Sequence, residues 1–215
     1  MKKIILILFF FFISFSTINA QSINDYGIKV GLAISNLEWK YNTYPGDELE
    51  LYWDNELGVT ARIYADFFDY SFFNLNCELS YTQKGTKYKI PITTTAQPDG
   101  TGEYINVNNK LSYLSIAVMG KFKYDCNSFT PYILLGPQYN YLLNKQIEKG
   151  FEIVYDKFSK SNLGITLGIG TEINLTAVTL SVEYRYERDL TNNYESSTIY
   201  IRNYSHNILV GIKLS

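Results

Sequence analysis

The fold class this sequence predicts is all-β: an eight-stranded antiparallel up-and-down transmembrane β-barrel. Three observations carry that expectation. Runs of alternating apolar and polar residues recur along the chain, as in pleated strands whose successive side chains point to opposite faces. The segments between those runs alternate long and short, the pattern of an up-and-down barrel with both chain ends on one side. Aromatic residues are abundant, with 20 Tyr and 13 Phe, and such residues suit pleated surfaces.

The N-terminus reads as a targeting segment. Lys2 and Lys3 precede an apolar run from Ile4 to Ile13, followed by Ser14 to Ala20 and then Gln21. A basic start, a short apolar centre and a small residue at the cut describe a secretory signal peptide. The expected division is a signal peptide over residues 1–20 and one barrel domain over 21–215. The run is too short for a membrane-spanning helix. No later stretch is long enough either, so a membrane home requires a barrel. Losing Lys2 and Lys3 from 19 basic residues leaves 17, against 21 acidic ones. A nucleic-acid partner is not expected of so mildly acidic a chain, because such a partner needs a clustered basic face.

The strands follow in order. The first runs from about Tyr26 to Leu37, with Ile28, Val30, Leu32 and Ile34 opposite Lys29, Gly31, Ala33 and Ser35. A polar segment, Glu38 to Asn55, carries Trp39, Trp53 and the turn signal Pro45-Gly46-Asp47. The second strand, Glu56 to Phe68, sets Leu57, Val59 and Ile63 against Gly58, Thr60, Arg62 and Asp66. After a short turn the third sets Phe73, Leu75, Cys77, Leu79 and Tyr81 against Asn74, Asn76, Glu78, Ser80 and Thr82. A second polar segment, Lys89 to Asn109, leads to the fourth strand, Lys110 to Lys123. A short turn then leads to the fifth, Thr130 to Leu143. Pro137 predicts a local irregularity there, because proline removes a ladder donor. A third long segment, Asn144 to Ser161, precedes a hairpin over Leu163 to Glu187 about an Asn-Leu-Thr turn. A fourth, to about Arg202, precedes the last strand, ending at Leu214.

Period-two patterning alone does not say which face is interior; a soluble lipocalin-like barrel would bury the apolar set. Glycine points the other way. Of nine glycines within these strands, eight lie on the polar face and only Gly120 does not. The lumen of an eight-stranded barrel is barely wide enough for side chains, so small residues there make room for long charged ones. The polar face carries Lys29, Arg62, Lys121, Lys123, Arg185 and Lys213 against Asp66, Glu78, Glu172, Glu183 and Glu187. Simple folding of the hairpins puts Arg62 across from Glu78, Asp66 across from Asn74, Lys29 level with Asp66, and Glu183 near Gly168. Charges enclosed this way must be paired, so the set reads as a structural plug; a proton or ion path is the alternative. Tyr81, Tyr139, Tyr141, Tyr184, Tyr186 and Tyr204 form one aromatic girdle, and Tyr26, Phe67, Phe73 and Phe122 the other.

No catalytic, cofactor or metal constellation is expected. The single histidine, His206, lies on the apolar face near a rim and cannot by itself build an acyl-transfer or multi-histidine site. Cys77 and Cys126 would be free to bridge in an exported chain, but they map to an apolar strand face and a turn.

The segments GIKVGLAISNL, LSYTQKG, LSYLSIAVMGKFKY, PYILLGPQYNYLL, LGITLGIGTEI, VEYRYERDLTN and HNILVGIKL together resemble the PorT-type outer-membrane β-barrel family of bacteroidetes, often labelled porin family. The resemblance implies an eight-stranded barrel in the outer membrane of a Gram-negative bacterium. Outer-membrane lipid and the barrel-assembly machinery are its expected partners. Three functions remain open from the residues: a structural, surface-binding or secretion-accessory barrel acting through its outer loops, with Trp39 and Trp53 as candidate contacts; a small-solute transporter; and a membrane-embedded hydrolase or acyltransferase.

Overall fold

The computed structural model describes residues 23–44, 47–51, 54–92, 102–126, 128–147, 152–175 and 178–214. The expected signal peptide and Trp53 lie outside the described residues. The chain forms β1 (Ile23–Tyr44), β2 (Asp47–Leu51), β3 (Asp54–Tyr70), β4 (Phe73–Pro91), β5 (Tyr104–Lys123) and β6 (Phe129–Gln146). A one-turn helix, α1 (Glu152–Tyr155), leads to β7 (Ser161–Asn174), β8 (Thr179–Asp189), β9 (Tyr194–Glu195) and β10 (Ile199–Lys213).

Long strands adjacent in sequence pair antiparallel, and β1 closes on β10 from Gly27 opposite Lys213 to Tyr41 opposite Ile199. The wall is thus eight long strands without an edge, which is what a strand-built membrane span requires. The short strands β2 and β9 lie beside the outer ends of β1 and β10, beyond the ends of the β3 and β8 ladders. Short turns join β3 to β4, β5 to β6 and β7 to β8, at the end where Leu214 N–H donates to the Tyr26 carbonyl.

The apolar face is outside. Ile169 is 60% exposed and Val210 54%, whereas Arg185, Glu183 and Lys29 are buried. That is the inverse of a soluble core and removes the lipocalin-like arrangement. The eight strand glycines of the polar face lie on β1, β3, β6, β7 and β10, and most of them do one of two jobs. A Cβ on Gly170 would meet the Tyr132 ring at 2.7 Å and one on Gly211 would meet Lys29 Cγ at 2.7 Å, so these make room for long side chains. At Gly31 and Gly136 a Cβ would collide with the carbonyls of Ile208 and Val118 on the neighbouring strand, so there the backbones themselves approach.

Three expectations are corrected. The hairpin registers differ by two residues from simple folding. Arg62 pairs with Ser80, Glu78 with Tyr64 and Asp66 with Asn76. The turn is Ser71-Phe72, and a bulge follows Phe67, where Phe68 adopts a positive φ of 65°. Likewise Gly168 faces Arg185 and Gly170 faces Glu183, because a four-residue turn is closed by Leu175 N–H donating to Val178. Lys29 lies opposite Arg62, not level with Asp66. The polar segments 38–55 and 89–109 are largely strand: β1 runs to Tyr44, and the β4–β5 ladder continues to Pro91 opposite Tyr104. At Pro137 the β5–β6 pairing lapses between Ala117–Gln138 and Gly120–Leu135 without a change of register. Cys77 and Cys126 are both free thiols.

Candidate functional site

Every second residue of a barrel strand points into the lumen, so the interior is written by alternate positions of eight strands. Near the short-turn end, Lys121 bonds Asp66 at 2.7 Å and also bonds Glu172. Lys213 reaches Glu172 at 2.9 Å and Asp25 at 3.1 Å. Asn76 donates to the free oxygen of Asp66 at 2.5 Å. The charges alternate along this chain: Asp25, Lys213, Glu172, Lys121, Asp66.

A second alternating chain climbs the middle of the barrel. Lys84 bonds Glu187 at 3.0 Å, Glu187 bonds Arg62 at 2.8 Å, and Arg62 bonds Glu78 at 2.9 Å. Arg185 then links Glu78, at 2.5 Å, to Glu183, and Glu183 bonds Lys29 at 2.7 Å. The chains carry four cations with three anions and two cations with three anions, so they neutralise one another. Tyr132 joins them: its hydroxyl donates to Glu183 at 2.9 Å and its ring lies 4.8 Å from Lys121 Nζ. Beside it, Ala117, Met119 and Leu134 fill the lumen with apolar atoms.

Towards the long-loop end the lining is mostly amide and hydroxyl groups, with Asp189 and Glu56 as buried carboxylates, and Glu56 bonds Lys110 of the rim at 3.0 Å. Asn140 and Asn203 donate to Asp189 at 2.8 and 3.3 Å, and Asn193 and Asn203 donate to the Tyr113 hydroxyl at 3.1 and 2.9 Å. Above them sits an apolar lid of Leu37, Trp39, Leu111, Leu142, Tyr155, Phe158 and Ile201. Two of its members come from the β6–β7 connection. The α1 turn places Tyr155 and Phe158 three residues apart on one side, their rings 4.6 Å apart and stacked. The connection is tied down where Lys145 donates to the Tyr155 carbonyl at 2.8 Å and Ser159 N–H donates to Asn193 at 2.7 Å. Burial pushes the Tyr155 hydroxyl pKa up, and Asn109 bonds it at 3.2 Å, so this ring is neutral in the lid.

The structure places Lys29, Arg62, Asp66, Glu78, Lys121, Glu172, Glu183, Arg185 and Glu187 together inside the barrel. Lys84, Asp25 and Asp189 join them from positions beyond the expected strand ends. Their signal is the continued alternation Ser80, Thr82, Lys84 and Arg185, Glu187, Asp189. Trp39 is corrected: it is not on a loop surface but a buried β1 residue, its ring edge-on to Tyr155 at 6.4 Å. His206 faces outward among Tyr184, Tyr186 and Tyr204. Among the described residues no group of three or more His, Cys, Asp or Glu is arranged to hold a metal ion.

The sequence matches the family described as "Outer membrane protein beta-barrel domain" over residues 19–195. Three solved structures illustrate what the chain is similar to. The attachment invasion locus protein Ail of Yersinia pestis shares 15% identity over 88% of this chain and 98% of its own, with a TM-score of 0.41. Neisserial surface protein A shares 16% over 88% and 97%, TM-score 0.45. OprG of Pseudomonas aeruginosa shares 12% over 90% and 97%, TM-score 0.49. None of the curated proteins matches the sequence.

Proposed function

We propose that this chain, which belongs to the outer membrane protein beta-barrel domain family, is a closed scaffold whose work is done at its outer rim. The observation that supports this reading is the filling of the lumen. Two ion-pair chains, an apolar flank and an aromatic lid occupy successive levels. An enclosed network of that kind fixes a structure, whereas a pore needs a continuous wet path. The strands also run on past the girdles, raising the β1–β2 and β4–β5 hairpins as a platform. Surface-binding and secretion-accessory roles both suit such a platform. Placement beside the PorT-type barrels is proposed on the sequence segments alone.

Purified protein in planar lipid bilayers is expected to pass no steady ion current. Replacing the β4–β5 tip, residues 92–103, with a short turn is expected to remove surface partners crosslinked on intact cells. A steady conductance, or a crosslinking pattern indifferent to that replacement, would overturn the reading. A second reading, transport of small apolar solutes, is favoured by one feature only: the outer lumen is lined by Leu37, Leu111, Leu142 and Ile201. It requires the α1 connection to withdraw.

A further inference from the structure

Among the described residues Glu56, Asp66, Glu78, Glu172, Glu183 and Glu187 are buried, and each bonds a lysine or an arginine. Asp189 is just as buried and bonds neither. Neutral amides hold it instead, Asn140 at 2.8 Å on Oδ1 and Asn203 at 3.3 Å on Oδ2. The Asn140 carbonyl is occupied by Ser115 and Gln138, each at 2.6 Å, so its NH2 is committed to Asp189. A carboxylate fixed in this way still has lone pairs to offer, because each of its oxygens can accept twice.

Around it stand polar groups with nothing to bond. Asn162 faces Asn140 across the β6–β7 ladder and is 2% exposed, yet neither its Oδ1 nor its Nδ2 has a partner. The Oδ1 atoms of Asn193 and Asn203 receive no donor either. Asn203 already touches Asp189, and both Asn193 and Asn203 donate to the Tyr113 hydroxyl. Buried polar atoms without partners call for an explanation, and a bound ion is one. Gly164 leaves room for it, opposite Asp189 on the β7–β8 ladder. A Cβ there would lie 2.8 Å from the Arg188 carbonyl and 3.4 Å from Asp189 Oδ1, with no other side chain closer than 3.5 Å.

From this we infer that the level between the ion-pair chains and the aromatic lid binds a hard monovalent cation, of sodium's kind, at Asp189. Its donors are all oxygens, a carboxylate and amide carbonyls, and such donors select hard cations. The charges select a single positive one. The two ion-pair chains neutralise one another and Lys110 answers Glu56, so Asp189 adds one negative charge to the lumen. Lys84 does not answer it, being bonded to Glu187 at 3.0 Å. A divalent ion would exchange that excess for a positive one, at the end of the chain that Lys84 already makes cationic. A proton on Asp189 is the competing neutraliser.

The test is reversible urea unfolding of the full chain in phospholipid vesicles. Sodium chloride is replaced stepwise by N-methylglucamine chloride, whose cation is too bulky for the site, at constant total chloride. One ion bound per folded chain is expected to raise the folding equilibrium constant about tenfold for each tenfold rise in sodium above its dissociation constant. Asp189→Asn is expected to abolish that dependence, Asn162→Ala to demand more sodium for the same rise, and Lys89→Gln on the exposed β4 rim to leave it intact. A wild type indifferent to sodium would overturn the inference, and a gain in stability on mild acidification, absent from Asp189→Asn, would then give the carboxylate to a proton. A sodium response that survives in Asp189→Asn would put the ion elsewhere, and a larger response to calcium at equal ionic strength would overturn the monovalent assignment. If Asp189→Asn does not fold, Asn162→Ala decides: a response identical to the wild type rejects the site.

Discussion

Glu78 lies at the centre of the longer ion-pair chain, between Arg62 and Arg185, while Lys84 ends it with one partner. Removing the central charge takes a partner from two buried guanidinium groups and cuts the chain in half; removing the end takes one partner from a single carboxylate that Arg62 still holds. Glu78→Gln is therefore expected to cost about 3–5 kcal/mol, the scale of a broken buried pair, and Lys84→Met distinctly less. Urea unfolding in lipid, followed by tryptophan fluorescence, measures both. Equal costs would show that the chain does not act as a linked series. Depth matters in the same way on the lipid face. Ile169 stands mid-strand on β7, whereas Leu180 is the second residue of β8, beside the inner turn. Ile169→Arg should cost about 2–4 kcal/mol and Leu180→Arg about 0–1 kcal/mol, following the depth dependence of charge on a barrel's lipid face. Which residues face inward was legible from alternation, because a strand offers its side chains only two directions. Partner choice was not: Lys29 finds Glu183 across the lumen, and no sequence spacing encodes a contact between distant strands.

At the level of strands and turns, the sequence carries existence and facing well and register poorly. The β3–β4 and β7–β8 hairpins each sit two residues from simple folding. A bulge after Phe67 and a four-residue turn at Leu175 to Val178 set them, and neither has a glycine or proline to announce it. A shift of two leaves every side chain on its own face, which explains why facing survived the error. Strand ends were hidden for another reason. Beyond the membrane a strand no longer needs an apolar face, so Glu38 to Tyr44 and Lys89 to Pro91 read as polar loops while extending β1 and β4. Trp39 was misplaced by that rule. The glycines separate two demands on a strand. Gly31→Ala drives a methyl group into the Ile208 carbonyl and is expected to destabilise by about 1–3 kcal/mol, as overpacking does. Gly168→Ala meets only Leu134 and Glu183 side-chain atoms at 3.4 to 3.5 Å. It is expected to be neutral or to stabilise by about 0.5–1 kcal/mol, because glycine weakens strand interiors. Thermal unfolding of the two variants in one lipid decides the matter.

For the whole molecule, the question is which level of the lumen keeps it closed. The aromatic lid draws Tyr155, the last residue of a one-turn helix, and Phe158, just after it, from the β6–β7 connection. The ion-pair chains are built from the wall itself and have alternating sign from Lys84 to Lys29. If the lid alone seals the barrel, Tyr155→Ala with Phe158→Ala should open a current. If the wall-borne charges seal it, that variant should stay silent. We expect silence, because each charge of the two chains is held by at least one partner and displacing any one takes a partner from a buried neighbour. The complementary variant, Glu78→Ala with Arg185→Ala, removes a matched pair at mid-barrel and interrupts the longer chain between Arg62 and Glu183. It is expected to add conductance only when combined with the lid variant, since each seal then has to fail. Single-channel recording of the wild type and the three variants tests this series. Current through the lid variant alone would move the seal to the rim and make the apolar outer lumen an entry route, which is the transport reading rather than the scaffold.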